Sequence, residues 1–274
     1  MKPVSSMHPV LYRLSVLLRR SGRHIRWRFS SSPFALEKSP VLLDFPIVNH
    51  RSLLLRRLEG ADMELQRNKI ESLKAACRLV DSVLVRPGEV FSFWKLVGRP
   101  SVRRGFPPGL QLSFGSLVSM EGGGLCQMTN LIHWMVLHTS LTVTERHRHS
   151  TDPFPDHRRA VPFGTGATVF YNYLDLAFSN GTPHTYQICL KTGPEYLEGE
   201  IRCDSIPPVS FSVEERNHRF VADGGKVFRM NELWRTKTEV SSDRVLEERL
   251  LMRNRCRVMY EVSQDLVETS GGKG

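Results

Sequence analysis

The sequence has no long hydrophobic run and few cysteines, and both absences exclude whole classes of protein. No apolar run reaches the roughly 18 residues that a membrane-spanning helix needs. The five cysteines are odd in number and widely spaced, with no CxxC pair, which argues against a disulfide framework and a cysteine-rich zinc module. No repeat or low-complexity tract is present, so the 274 residues are expected to form one large globular domain or two small ones.

Acidic residues are missing from residues 1–30, although the chain carries a formal net charge of +10. Seven lysines and arginines lie in that basic N-terminal arm, so the arm holds most of the basic excess. Four leucines recur among the arginines at helical spacing, at Leu11, Leu14, Leu17 and Leu18. The pattern is typical of an amphipathic helix at an anionic membrane surface, and a solvated, partly disordered arm is the alternative.

The arm does not have the pattern of a secretion signal. Arg13 interrupts its apolar run, and no small-residue cleavage site follows. We therefore expect the chain to remain in the cytoplasm, with residues 1–30 able to contact the inner face of the membrane. The arm and a few loop arginines match no known nucleic-acid-binding module, so no nucleic-acid partner is expected.

Hydrophobic periodicity predicts an α+β fold, with helices in the N-terminal half, a mainly antiparallel sheet in the middle and the basic N-terminal arm in front. A helical pattern, broken near Gly60, runs over residues 51–85, and residues 99–115 are predicted to be loop. Alternating patterns predict strands over residues 141–148, 168–178, 185–190 and 197–203. Asn180-Gly181 predicts a hairpin, and a helix is expected over residues 246–252.

The segment Gly122-Gly123-Gly124-Leu125-Cys126-Gln127 is the strongest candidate for a functional site. Three glycines allow the backbone to turn tightly and approach a ligand. A helical apolar pattern follows, at Met128, Leu131, Ile132 and Met135. Cys126 would then lie at a helix N-terminus, where N–H groups and the helix dipole favour negative charge, so we predict a lowered thiol pKa. A small core cysteine is the alternative.

A cysteine nucleophile needs a base, and the next predicted strand carries candidates. Glu145, His147 and His149 share one face of that strand, where the carboxylate could orient an imidazole toward Cys126. The alternative is a surface strand with alternating charges. His133 lies two helical turns beyond Cys126, too far for a direct hydrogen bond, and is predicted to be structural.

A metal site is a competing interpretation of the same residues. His147 and His149, together with Cys126, could supply three ligands to a metal ion. The histidines lack the i, i+4 helical spacing of common zinc enzymes. Neither a metal nor another cofactor is therefore expected.

Several separate motifs occur in an order that resembles the VanW family of vancomycin-resistance-associated proteins. They are Gly122 to Gln127 with Asn130, Glu145-Arg146-His147-Arg148-His149-Ser150, and the segments 87–94, 162–168 and 171–176. The resemblance covers at least residues 60–205, and the tail is similar to full-length members. We therefore expect a basic arm and linker over residues 1–50, a VanW-like domain over 51–205, and a C-terminal extension over 206–274 that packs on the same domain.

The resemblance implies a role in cell-wall biology and glycopeptide resistance, with a peptidoglycan stem peptide or precursor as partner. Exported relatives are linked to L,D-transpeptidase chemistry, in which a cysteine attacks a tetrapeptide stem and the amine of a neighbouring stem resolves the thioester. Carried over, Cys126 is the nucleophile, His149 the base, and His147 and Glu145 assist. The expected substrate-binding residues are Gly122, Gly123, Gly124, Gln127, Asn130, Arg146 and Ser150.

The sequence departs from those exported relatives because it shows no export signal, whereas cross-linking takes place outside the cytoplasmic membrane. Three interpretations reconcile the missing signal with the site of cross-linking. The chain is exported by another route, it acts on an intracellular precursor, or it binds without catalysing. The alternative function is therefore a non-catalytic accessory that binds peptidoglycan precursors or a wall-synthesis enzyme.

Overall fold

The computed structural model of the chain describes residues 9–55, 63–113, 116–148, 151–152 and 161–269. These ranges contain four α-helices, namely α1 (Pro9–Arg28), α2 (Met63–Val80), α3 (Phe93–Val97) and α4 (Cys126–Val136). None of the helices in the described ranges combines the length and the hydropathy that a bilayer crossing requires.

Most of the remaining described residues belong to strands. The strands are β1 (Phe45–Leu53), β2 (Val83–Val85), β3 (Val90–Ser92), β4 (Pro108–Ser113), β5 (Ser116–Glu121), β6 (Thr142–Glu145), β7 (Thr151–Asp152), β8 (Ala177–Ser179), β9 (Tyr186–Thr192), β10 (Tyr196–Cys203), β11 (Val209–Asp223), β12 (Lys226–Glu239), β13 (Val245–Val258) and β14 (Val267–Thr269). In the described ranges they form sheets of order β1-β10-β9-β2, β14-β11-β12-β13-β7, β3-β8-β6 and β4-β5. Pairing is antiparallel except at β11–β14 and β13–β7. The predicted α+β class is confirmed.

The core lies where α2 and α4 pack against the sheet that contains β1, β10, β9 and β2. The predicted apolar face of α4 is buried at all four positions, Met128, Leu131, Ile132 and Met135. On α2, the residues Leu73, Ala76, Cys77 and Val80 are buried as their spacing predicts. Both helices are therefore amphipathic elements held by apolar burial rather than by helix propensity alone.

Two predictions for segments that lie between helices are wrong. Residues 51–53 continue β1 instead of starting a helix, because their backbone pairs with β10. Residues 99–115 are not a single loop, since β4 lies within them and pairs with β5. Proline and glycine are frequent there, but they mark the start of a strand and a close backbone contact.

The strand predicted over residues 168–178 is also wrong, apart from its end in β8. Thr168 donates its N–H to the carbonyl of His147, and Phe170 forms an isolated bridge with Leu174. Of the alternating apolar residues, Leu176 and Phe178 are buried at the end that leads into β8, whereas Phe170 and Leu174 are half-buried in turns. Sequence alternation alone does not decide between a strand and an irregular segment.

Asn180-Gly181 does not close a hairpin, because β8 and β9 belong to different sheets. The Asn180 side chain donates to the carbonyls of Val85 and His184 and accepts from Thr182. It thus holds a loop between two sheets. The asparagine that favours a tight turn is used here for its side-chain hydrogen bonds.

The helix predicted over residues 246–252 is wrong as well, since this segment is part of β13. Met252 pairs with Leu233 of β12, and the pairing continues along both strands through two register shifts. A short polar segment has no period strong enough to outweigh pairing with a strand that is distant in sequence. The glycine pair Gly224-Gly225 forms the turn between β11 and β12, with positive φ values of 56° and 70°.

The glycine turn before α4 is fixed by contact with β4. Gly109 and Gly123 pack backbone against backbone, and a Cβ on Gly109 would lie 2.7 Å from the carbonyl oxygen of Gly123. A Cβ on Gly123 would collide with the backbone of Gly109. Gly122 has φ +72° and packs against Pro100. These glycines therefore bring β4 and the start of α4 into close contact.

Helix α1 is docked on the rest of the chain by a buried ion pair. Arg23 donates to both carboxylate oxygens of Glu145, at 2.8 and 2.6 Å. Asp175 lies behind this pair, 3.6 Å from the Arg23 guanidinium. The arginine and Asp175 are both buried. The basic arm is thus an ordered helix over the described residues 9–28.

The pKa values of the two carboxyl groups near Arg23 are shifted in opposite directions. Burial raises the pKa of Asp175 to about 6, although Ser92 and Arg23 stabilise its charged form. Burial also raises the pKa of Glu145, but hydrogen bonds from His147 and Arg23 outweigh that effect and lower it to about 2. At neutral pH both groups are ionised, and the burial of the Asp175 charge opposes folding.

We predict that Gly123→Ala is destabilising by about 1–3 kcal/mol, because the added Cβ overlaps the Gly109 backbone. Gly181→Ala is the matched control, since a Cβ there meets nothing within 4 Å. Urea denaturation of both variants and the wild type measures the difference. Equal midpoints for the two variants would contradict the packing described here.

We predict that Asp175 makes stability depend on pH. Its folded pKa of about 6 lies above the unfolded value of 3.8, so its contribution is complete below about pH 4 and is lost as pH rises through 6. The unfolding free energy of wild type minus that of Asp175→Asn should fall by up to about 3 kcal/mol between pH 4 and pH 7. Urea titrations across that range test this, and a flat or rising difference would contradict it.

Candidate functional site

Cys126 is the first residue of α4 and is only half-buried. Its Sγ donates to the carbonyl oxygen of Val169 at 3.7 Å. Burial raises the pKa of this thiol, and the hydrogen bond with Val169 only partly opposes the increase. The prediction of a lowered pKa is therefore wrong, because burial of the sulfur outweighs the stabilisation of its charge at the start of α4.

A pocket opens beside Cys126 and is called the Cys126 pocket here. Its volume is about 160 Å³, comparable with roughly five liquid water molecules. Its polar lining groups come from α1, from the loop after α3 and from the β4–β5 hairpin, and they are Arg20, Arg99, Gln111 and Glu121. Trp94, Phe170 and Tyr171 add aromatic walls. The pocket can take a charged group with its adjoining atoms, but not a large molecule.

Two arginines give the Cys126 pocket a positive wall. Arg20 donates from Nε to the carbonyl oxygen of Tyr171 at 3.1 Å, and its guanidinium lies 5.1 Å from the centroid of that ring. Burial lowers the pKa of Arg20, and the charge of Arg99 lowers it further. Two like charges that repel each other across a small pocket favour an anion between them.

Glu145 and His147 lie together, as predicted, but they do not face Cys126. His147 Nε2 lies 3.0 Å from Glu145 Oε1, and the same oxygen accepts from Arg23 and from the N–H of Asp175. Among the described residues that line the Cys126 pocket, neither Glu145 nor His147 occurs. In this structure the carboxylate orients the imidazole and anchors α1. The predicted base His149 and the predicted substrate contact Ser150 lie outside the described residues.

Three of the predicted substrate contacts bind the protein's own backbone. Gln127 donates to the carbonyl of Leu53 at 2.8 Å, which ties α4 to β1. Asn130 accepts from the N–H of Ala167 at 2.6 Å. Arg146 donates to the carbonyls of Gly164 and Gly166. Asn130 thus holds the segment 164–169 against α4, and Arg146 holds it against the end of β6. That segment supplies the carbonyl that Cys126 contacts.

Of the three glycines in the turn, Gly122 lines the Cys126 pocket directly. Gly123 packs against Gly109, and Gly124 packs against the side chain of Lys69 with φ +92°. The predicted close approach of backbone therefore occurs between parts of the chain, and only the first glycine faces the pocket.

His133 is buried in the core, as predicted. Its Nδ1 lies 2.6 Å from the carbonyl oxygen of Thr165. Burial lowers the pKa of His133 to about 3, and the charge of Arg146 contributes to the decrease. The imidazole therefore stays neutral and serves packing.

One group of potential metal ligands occurs among the described residues, away from the Cys126 pocket. His184, Cys203 and Asp204 place their ligand atoms within 4.8 Å of one another. Hydrogen bonds already account for this arrangement, because Asp204 accepts from Cys203, Ser205 and the N–H of Thr185. His184 in turn contacts Ser205 at 2.7 Å.

Sequence patterns do not identify the residues that make the Cys126 pocket polar. Arg20 is one of several arginines in the basic arm, and Arg99 and Gln111 lie in a segment that is predicted to be loop. Nothing in their spacing relates them to Cys126, because α1 reaches the pocket through a tertiary contact. The absence of acidic residues from the arm was the available signal, since it indicates an arm that meets negative charge.

Comparisons with known proteins agree with the motifs. Residues 68–202 match the family model described as VanW like protein. The chain is 28% identical over 265 residues to the Vancomycin B-type resistance protein VanW of Enterococcus faecalis (strain ATCC 700802 / V583), covering 97% of this chain and 96% of that relative. It is also 26% identical over 117 residues to the uncharacterized protein YoaR of Bacillus subtilis (strain 168), covering 42% of this chain and 36% of that protein.

No solved structure matches the chain. The family match and the relative that aligns along nearly the whole sequence cover the glycine turn, Cys126 and the strands that follow. The chain therefore belongs to the VanW family, a family associated with vancomycin resistance.

Proposed function

We propose that this chain is a non-catalytic accessory protein that binds a carboxylate-bearing peptidoglycan precursor in the Cys126 pocket. The observation that carries the proposal is the pair of arginines, Arg20 and Arg99, on the wall of that pocket. A guanidinium binds a carboxylate through two parallel hydrogen bonds. Stem peptides of peptidoglycan end in a carboxylate, and the association of the family with vancomycin resistance relates the chain to that class of ligand.

The state of the thiol supports binding without catalysis. Burial raises the pKa of Cys126, so the thiol is neutral at physiological pH. A neutral thiol does not repel a bound carboxylate, whereas a thiolate in the same pocket would. The aromatic walls Trp94 and Tyr171 can cover the apolar part of a peptide, as in other small-molecule sites.

A cysteine acyltransferase of the L,D-transpeptidase type is the second candidate, because Cys126 lines the same pocket as the arginines. In that reaction the sulfur attacks a stem-peptide carbonyl, a C–S bond forms, the C–N bond breaks, and the thiol proton passes through His149 to the leaving amine. An acceptor amine then attacks the thioester and restores the thiol. The base must remove the proton during the attack, because the free thiol is protonated.

We predict that Arg99→Gln weakens the binding of a soluble muropeptide with a free stem carboxylate by about tenfold or more, since one charge-assisted hydrogen bond is worth about 1.5–3 kcal/mol. Calorimetric titration of the full chain measures the affinity. Arg103→Gln is the matched control, because Arg103 is exposed and lies outside the pocket. The muropeptide amidated at its C-terminus should bind weakly to every variant. Equal affinity for acid and amide, or an equal loss with Arg103→Gln, would overturn the carboxylate site.

We predict that Cys126 in the free protein is alkylated more slowly than a model thiol at pH 7, because burial raises its pKa. Peptide mass spectrometry after timed treatment with iodoacetamide measures the rate. Cys189 is the internal control, since burial raises its pKa to about 11. Incubation with muropeptide should leave the mass of the protein unchanged. A mass increase by the acyl fragment, lost in Cys126→Ser and His149→Ala, would instead establish the acyltransferase.

A further inference from the structure

Helix α1 has an inner face that packs on the protein and an apolar face that the described chain leaves exposed. The inner face packs on the protein through Val16, Arg20, Arg23 and Trp27. A second set of apolar side chains on α1 is exposed, and we call it the leucine stripe: Val10, Leu11, Leu14, Leu17, Leu18 and Ile25. At about 100° per residue, the centres of the two faces lie about 160° apart around the helix. The stripe therefore points away from the protein.

The leucine stripe is clustered, unlike ordinary surface leucines: five of its six side chains lie within residues 10–18, and Ile25 follows after Ser21 and Gly22. Single exposed apolar residues are normal on soluble proteins, but a contiguous apolar surface marks a contact with another molecule or a membrane. The stripe extends along most of α1, and Phe29, which is 81% exposed, follows at its end. An aromatic ring at the edge of an apolar face is typical of helices that lie at a membrane surface.

The charge of α1 indicates which kind of partner binds the leucine stripe. The helix contains six arginines and no acidic residue. Arg13 and Arg26 flank the leucine stripe and are exposed. A second copy of the chain would bring arginines against arginines, which is unfavourable. An anionic lipid surface instead offers negative headgroups to the arginines on either side of the leucine stripe and an apolar acyl layer to the leucines.

We propose that the leucine stripe docks this chain on an anionic phospholipid bilayer, with the leucines in the acyl boundary and Arg13 and Arg26 at the headgroups. The Arg23–Glu145 ion pair keeps α1 attached to the folded chain, so the whole protein is held at the surface and not just an arm. The helix lies in the plane of the interface, because its six arginines are spread from Arg13 to Arg28 and are not gathered at one end.

Docking would also orient the Cys126 pocket. Arg20 lies on the inner face of α1 and lines that pocket. Since a helix is about 10–12 Å across, the Arg20 wall lies about one helix diameter from the bilayer. This step rests on the proposed function, and it favours a precursor that is itself attached to a lipid.

Vesicle flotation with the full chain tests the proposal. We expect binding to vesicles of phosphatidylglycerol and phosphatidylcholine, weak binding to phosphatidylcholine alone, and a loss as salt is raised. Leu14→Gln with Leu18→Gln should reduce the partition coefficient by about tenfold or more. The matched control is Val41→Gln with Leu42→Gln, which removes two side chains that are 73% and 53% exposed outside the stripe.

The charge is tested separately with Arg13→Gln and Arg26→Gln, which should reduce the preference for anionic vesicles and flatten the salt dependence. Unchanged binding by the leucine variant, or equal binding to neutral vesicles, would overturn the proposal. So would a dimer in solution that the leucine variant converts to a monomer, because the stripe would then be a contact between copies. The muropeptide affinity of the leucine variant should be unchanged, which separates failure here from failure of the proposed function.

Discussion

The arrangement of this chain depends on the carboxylate of Glu145. It accepts from Arg23 of α1, from the imidazole of His147 and from the N–H of Asp175. One side chain at the end of β6 thus joins three segments that are distant in sequence. A buried charge is tolerated only when it is paired and hydrogen-bonded, so each partner depends on the others.

This anchor places the candidate site. Arg20 lies one helical turn before Arg23, so fixing Arg23 also places the Arg20 guanidinium over the ring of Tyr171. The opposite wall is fixed by the close contact of Gly109 with Gly123, which positions the start of α4 and Cys126. The Cys126 pocket is therefore formed by two tertiary contacts. The contact of Gly109 with Gly123 lies within the family-matched residues 68–202, whereas Arg23 lies outside them.

The sequence predicted those features that local chemistry determines. Periodicity identified α4 and the buried face of α2, because apolar burial at i, i+3 and i+4 leaves a direct trace. The spacing correctly predicted that Glu145 and His147 lie close together, although His147 follows the end of β6 and does not continue the strand. The role of that pair was not predictable, because Arg23 competes for the carboxylate and lies on an element whose docking depends on the tertiary fold. The long strands β11 to β13 were not predictable from the sequence either, since strand pairing depends on the partner strands and not on the segment itself.

The pKa of Cys126 is raised because the effect of burial is larger than the opposing effect of the helix N-terminus. A helix N-terminus stabilises a negative charge by about 0.3–1 kcal/mol, which corresponds to less than one pKa unit. Burial can shift a pKa by several units in the opposite direction. A pocket whose anion-binding groups are arginines and whose sulfur is neutral is suited to hold a carboxylate first. Any acyl transfer would need a base that acts only once the ligand is bound.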